Sequence, residues 1–143
     1  MAGKKPLQDV AKEDTLPFIP TCTDVKVLDV YDGDTITVAG DVQGVYFRFV
    51  IRILGIDTPE IRTANAQEKQ AGIQARNFLE SLIADQIICV SNITPDKYGG
   101  RFLAHVMYND IDVAQYMIRQ GHALAYDGGK KVEYNANNYT IKI

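Results

Sequence analysis

VYFRFVIRILGIDTPE, residues 45–60, carries a strand and a chemical group in one stretch. Phe47, Phe49, Ile51 and Ile53 fall on one face of an extended chain, and Arg48, Val50, Arg52 and Leu54 on the other. Gly55 and Pro59 then break the run, and Asp57 and Glu60 follow immediately. Arg52 stands at the strand end on the less apolar face, where it meets solvent or a ligand. Some twenty positions upstream, YDGDTITV (31–38) sets Asp32 and Asp34 against another β-branched run. Asp32, Asp34, Asp57 and Glu60 thus sit at the ends of two hydrophobic strands. Like charges gathered there repel, so a cation is expected among them.

Around these two stretches the first half of the chain is rich in strands. DVKVLDVY and TITVAG flank the DGD turn, and a glycine-containing turn leads into the run at 45–54. The period then changes. Ala71, Ala75, Phe78, Leu79, Leu82 and Ile83 recur at helical spacing, and Asn65 with Glu68 predicts a capping box at the helix start. QIICVSNI and FLAHVMY read as strands joined by the turn DKYGGR. A second helix is predicted over DVAQYMIRQ, capped by Asp112 with Gln115 and stopped by Gly121. The tail, GHALAYDGGKKVEYNANNYTIKI, is turn-rich and poorly periodic. Three strands, a helix, two strands and a helix suggest an α+β, mainly β, domain: a small closed barrel of the OB type with packed helices.

The chain's 143 residues are one domain's worth, with 46% hydrophobic residues. Residues 1–20, closed by Pro17 and Pro20, are expected to form a flexible arm, leaving 21–143 as the folded domain. A formal net charge of −3 gives no global basic footprint, which counts mildly against a nucleic-acid partner without excluding one, because a carboxylate-rich metal site itself pulls the total negative. Cys22 and Cys89 match no zinc spacing and are expected as small buried hydrophobes, with a disulfide the lesser alternative. No apolar run reaches transmembrane length, so no membrane partner is expected. The N-terminal segment has lysines but lacks the apolar core of a secretory leader. The expectation is a cytoplasmic protein as written, or a secreted one if a leader has been removed.

Asp34 and Asp57 lie in tight turns where carboxylates and exposed carbonyls occur together, the mixture that hard cations such as Ca²⁺ prefer. An EF-hand is excluded, because a loop starting at Asp32 has Gln43 where a glutamate is needed. Arg52, Lys97 and Arg101 come from different segments, each at a strand end or turn. Guanidinium forks grip phosphate oxygens in bidentate fashion, so two arginines beside a divalent ion can stabilise a pentacoordinate phosphorus. Glu60 could then take a proton from an attacking water. Each feature alone is also ordinary: DGDT as a tight turn, Pro59 as a strand terminator, Arg52 as a solvated strand residue, Arg101 as a surface residue after a turn. Their co-occurrence in this order shifts the balance towards a site. His105 and His122 read as structural or surface residues.

The series DGDT, RILGIDTPE, DKYGGRFLA and IRQG resembles the staphylococcal nuclease (thermonuclease-like) family over roughly residues 23–127. The resemblance implies a five-stranded OB barrel with two to three helices and a Ca²⁺-dependent nuclease that cuts DNA and RNA to leave 3′-phosphate ends. It implies Asp34 and Asp57 as calcium carboxylates with the Thr58 carbonyl as a further ligand, Arg52 and Arg101 as catalytic arginines, and Glu60 as general base. Lys97 and Tyr98 match positions near a terminal phosphate, and Tyr126 offers a face for base stacking. DKYGGR carries one more glycine than the shortest family pattern, so Arg101 is matched across a one-residue insertion. The tail as written after YDGGKK is not expected to form the long basic C-terminal helix of the secreted prototype.

The substrate expected on this basis is single-stranded DNA and RNA, or frayed duplex, bound by a monomer. Two other classes compete with the enzyme. A catalytically inactive OB module would bind nucleic acid or protein, but such modules commonly lose the acids or arginines that are all present here. A calcium-binding domain without catalysis accounts for Asp34 and Asp57 but leaves Arg52, Glu60 and Arg101 without purpose.

Overall fold

The alternation at 45–53 becomes the hub strand of a closed barrel. The computed structural model describes residues 4–16, 22–97 and 99–142. Five long strands form the barrel: β1 (Thr23–Val30), β2 (Thr35–Val42), β3 (Val45–Ile53), β5 (Ile87–Pro95) and β6 (Phe102–Tyr108). The sheet order is β3-β2-β1-β5-β6, and β3 closes it by pairing in parallel with β6 through Ile51↔Phe102, Arg52↔Leu103 and Ile53↔Ala104. A two-residue strand, β7 (Ile111–Asp112), extends the β6 edge. The predicted α+β OB barrel is therefore the fold.

Two α-helices pack on it, α1 (Ala66–Ile83) and α2 (Val113–Arg119). Val27, Ile36, Val38 and Ile53 from the barrel meet Ala75, Leu79 and Ile83 of α1 and Met117 of α2 in one core, each almost wholly excluded from water. Of the positions predicted to face the core from α1, Ala75, Leu79 and Ile83 are in it and Phe78 and Leu82 lie partly buried at its margin, whereas Ala71 is outside it. Among the described residues, no helix is long and apolar enough to cross a membrane.

Three expectations are corrected. The capping box at α1 is only half formed. Asn65 accepts from the Glu68 N–H at 3.1 Å, but the Glu68 carboxylate turns away from Asn65 to accept from the Thr63 hydroxyl and the Glu60 N–H. Cys22 is exposed rather than buried, because it precedes the first paired residue of β1; it and Cys89 are both free thiols. The tail also contains a strand. Leu124–Ala125 (β8) pairs antiparallel with Ile56–Asp57 (β4), each too short to leave a periodic signature.

Of residues 1–20, those at 4–16 form two exposed single-turn helices, Leu7–Asp9 and Lys12–Asp14, with Lys5 paired to Asp14 at 2.8 Å.

Candidate active site

Asp34 is fixed by the turn that precedes β2. Its N–H donates to Asp32 Oδ1 at 3.1 Å, its carbonyl accepts from the Ile53 N–H at 2.8 Å, and its Oδ1 accepts from the Thr35 hydroxyl. Gly33 lets this turn seat against α1, since a Cβ there would stand 2.8 Å from Ala75 Cβ and 3.0 Å from a Thr58 methyl. Asp57 is fixed by β4, whose pairing with β8 sets Asp57 opposite Leu124. Arg52 lies between Thr35 of β2 and Leu103 of β6. From there Arg52 Nη2 reaches Asp34 Oδ2 at 3.3 Å, Asp57 Oδ1 at 3.6 Å and the Ile56 carbonyl at 3.5 Å. Two buried carboxylates thus converge on one guanidinium nitrogen.

Glu60 stands just beyond, its side chain half exposed. The segment carrying it packs closely on α1, because Gly72 leaves room: a Cβ there would lie 2.8 Å from the Pro59 carbonyl oxygen and 3.0 Å from the Glu60 carbonyl. The helix glycine that weakens α1 on propensity is what lets the Pro59–Glu60 backbone come close to the helix.

A second cation enters from the tail. Lys131 Nζ lies 3.2 Å from Asp57 Oδ1 and 3.5 Å from Glu60 Oε1. Asp57 Oδ1 is nevertheless buried without a hydrogen bond: Lys131 and Arg52 lie within charge-pair distance, yet neither donates to it in aligned geometry. The Tyr126 ring faces both cations, 5.2 Å from the Arg52 guanidinium carbon and 6.0 Å from Lys131 Nζ.

Arg101 reaches the site from the other side of the barrel seam. It is held by an ion pair from its Nε to Asp96 Oδ2 at the base of the turn. Arg52, Lys97, Arg101, Tyr126 and Lys131 line one cavity of about 400 Å³, so the inserted glycine leaves Arg101 facing the same space as Arg52. Tyr98 lies outside the described residues. His105 is engaged elsewhere, with Ser91 at 3.4 Å and Asp112 at 3.1 Å, and His122 stacks on Phe78.

The electrostatics match a cluster short of positive charge. Burial, with the adjacent Asp34 carboxylate, pushes Asp32 up to about 7. Burial works against the Lys131 charge, but Asp57 outweighs it and the ammonium is held above its usual range. At Asp96 burial is likewise overcome by the Arg101 hydrogen bond and charge, leaving the carboxyl below its usual value. Tyr139 is pushed up by burial and then by the Asp57 and Glu68 carboxylates, a sign that the tail folds back over the acids.

Among the described residues no three His, Cys, Asp or Glu side chains form a ready-made metal group. The fit to a hard cation rests instead on Asp34 and Asp57 and on the unbonded oxygen of Asp57, buried and aimed into the cluster. Two carboxylates completed by backbone and water oxygens suit a Ca²⁺-type ion. Sequence reasoning missed Lys131, Glu68 and Asp96. Lys131 is one of two lysines in an ordinary turn, Glu68 looks like a helix cap, and Asp96 reads as a turn former.

Residues 50–141 match the family described as staphylococcal nuclease homologue. The chain is 33% identical over 109 residues to an uncharacterized endonuclease of Escherichia coli O157:H7, covering 74% of this chain and 64% of that protein. It is 33% identical over 116 residues to the thermonuclease of Staphylococcus intermedius, covering 76% of this chain and 66% of that one. A probable endonuclease of Schizosaccharomyces pombe is 30% identical over 89 residues, 57% of this chain and 38% of its own length. The chain thus spans less than two thirds of the length of these relatives.

Proposed function

Because this chain belongs to the staphylococcal nuclease homologue family, we propose that it is a sugar-nonspecific nuclease that hydrolyses phosphodiester bonds of DNA and RNA. The observation that carries this reading is the convergence of Asp34 and Asp57 on Arg52 Nη2, with Arg101 facing the same cavity. Two acids against Arg52, a half-exposed glutamate beside them and a second forked cation sharing a cavity with Arg52 are what attack on a phosphodiester needs.

In the proposed reaction a water oxygen attacks phosphorus in line with the 5′-oxygen. Glu60, half exposed where Asp34 and Asp57 are buried, takes the water's proton. The new P–O bond forms as the P–O5′ bond breaks, the 5′-oxygen takes a proton from solvent, and a 3′-phosphate remains. Arg52 and Arg101 donate to the equatorial oxygens, where charge accumulates. Ca²⁺, held by the Asp34 and Asp57 carboxylates and the Thr58 carbonyl, would supply positive charge to the phosphate when bound. Lys97, with Tyr98, would hold a neighbouring phosphate, and Tyr126 would stack a base. Side-chain cations around one cavity grip a phosphodiester without reading base edges, which favours single strands and frayed duplex over one duplex sequence.

The test is incubation with single-stranded DNA or RNA in Ca²⁺ or excess chelator, followed by analysis of the product ends. The reading expects cleavage of both polymers with Ca²⁺, loss in chelator, and 3′-phosphate termini. Equal cleavage in chelator would remove the metal from the reading. No cleavage under any condition would return the chain to the class of binding modules.

A further inference from the structure

Lys131 sits where a cation for the acid cluster would be wanted. It arrives from a segment 71 residues beyond Glu60 and contacts the same Asp57 oxygen that lacks a hydrogen bond. Its distances, 3.2 and 3.5 Å, are longer than the roughly 2.7–2.9 Å of a tight charge-assisted bond. Its side chain is also about half exposed. The pairing is loose, while the segment that carries it is not. The Tyr126 hydroxyl donates to the Gly129 carbonyl at 2.6 Å, and the Gly129 N–H donates to Asp127 at 2.9 Å. Further on, Tyr139 stacks on Tyr134 and the Lys142 N–H donates to the Arg119 carbonyl at 2.7 Å. Upstream the Tyr126 N–H donates to the Gly55 carbonyl at 2.9 Å, so the segment is tied to the barrel on one side and to α2 on the other, and the lysine's flexible stem lies between.

Building on the proposed function, we propose that Lys131 is a built-in counter-ion of the Asp57–Glu60 pair that a divalent cation must displace from Asp57. An ammonium and a dication cannot share one carboxylate oxygen without strong mutual repulsion. The metal-free protein therefore keeps the Asp57–Glu60 pair partly neutralised. Its affinity for the ion is lowered by the fraction of time Lys131 occupies the position.

Calorimetric titration with Ca²⁺ of the intact chain, of Lys131→Met and of Lys131→Arg tests this. Lys131→Met should bind Ca²⁺ at least about two-fold more tightly, as expected when a competitor holding the site about half of the time is removed. Lys131→Arg keeps the charge and should stay near the parent value. Acylation of the unaltered protein by an amine-reactive ester, followed at Lys131 by mass spectrometry, should accelerate when Ca²⁺ is added. This measurement needs no variant to fold. Ca²⁺ affinity unchanged or weakened in Lys131→Met, or a Lys131 acylation rate indifferent to Ca²⁺, would overturn the displacement while leaving the metal reading intact. Absence of Ca²⁺ binding to all three proteins would overturn both.

Discussion

The Glu68 carboxylate, one turn into α1, accepts the backbone N–H of Glu60 at 3.1 Å and so ties the proposed base to the helix. A residue that looks like a helix cap serves the site instead. Glu68→Ala should lower kcat about ten-fold through misplacement of Glu60, with KM little changed. It should also cost about 1 kcal/mol in a denaturant titration, typical of one lost hydrogen bond. Glu68→Gln retains an acceptor oxygen and should recover most of both.

Gly72→Ala tests the contact from the other side. In an open helix this change gains roughly 0.8–1 kcal/mol of propensity. Here the added methyl would press on backbone, 2.8 Å from the Pro59 oxygen, which cannot give way as a flexible side chain can. Overpacking of this kind costs about 1–3 kcal/mol, so the net change should be destabilising. Turnover should fall with the melting temperature because the displaced segment carries Glu60.

Arg52→Lys and Arg101→Lys keep charge but lose the planar fork. Each should reduce kcat by about 10²–10³-fold, the scale seen when one transition-state donor is removed. Asp96→Asn, which loosens Arg101 without touching the acids, should reproduce a milder form of the Arg101 defect. Near-normal kcat in Arg101→Lys would mean that Arg52 works with another cation such as Lys97.

Saturating Ca²⁺ should stabilise the fold by linkage, about 2.7 kcal/mol at a hundred times Kd. Chelator should reverse the gain, and Asp57→Asn should abolish most of it. A melting temperature indifferent to Ca²⁺ would count against a preformed site.

His122 predicts a pH dependence remote from the acids. Burial, with its ring stacked 4.6 Å from that of Phe78, lowers its pKa below 6.5. The unfolded chain then binds more protons than the folded one between the two values. Stability is therefore fully present above pH 6.5 and declines as pH falls below it. His122→Phe should flatten that part of the stability–pH curve in thermal melts run from pH 7.5 to 5.

The long elements were legible because their periods are long enough to register. Alternation over 45–53 and helical spacing over 66–83 each repeat several times, and the caps at Asn65 and Asp112 mark where the helices start. Asp34 and Arg52 were legible because they stand at the start of β2 and the end of β3, and Asp57 because it follows the break at Gly55. What escaped depends on three-dimensional approach. β4 and β8 have two residues each, too few for any period. Glu68 satisfies the sequence pattern of a capping box, yet the Glu60 N–H claims its carboxylate. Lys131 carries no local signal, since its role arises only when the tail crosses Asp57 and Glu60.

The β4–β8 ladder also has a consequence for how the protein is made. It joins Ile56 to Ala125 and Asp57 to Leu124, partners far apart in the order of synthesis. A nascent chain can emerge with both acids, Arg52 and Glu60 long before Tyr126 and Lys131 exist. Loop closure over such a separation is slow relative to local pairing. Catalytic competence should therefore arrive after the barrel, as one of the last events of folding. A ribosome still translating this message would hold a chain whose acids have no tail to neutralise them and whose pocket has no aromatic wall.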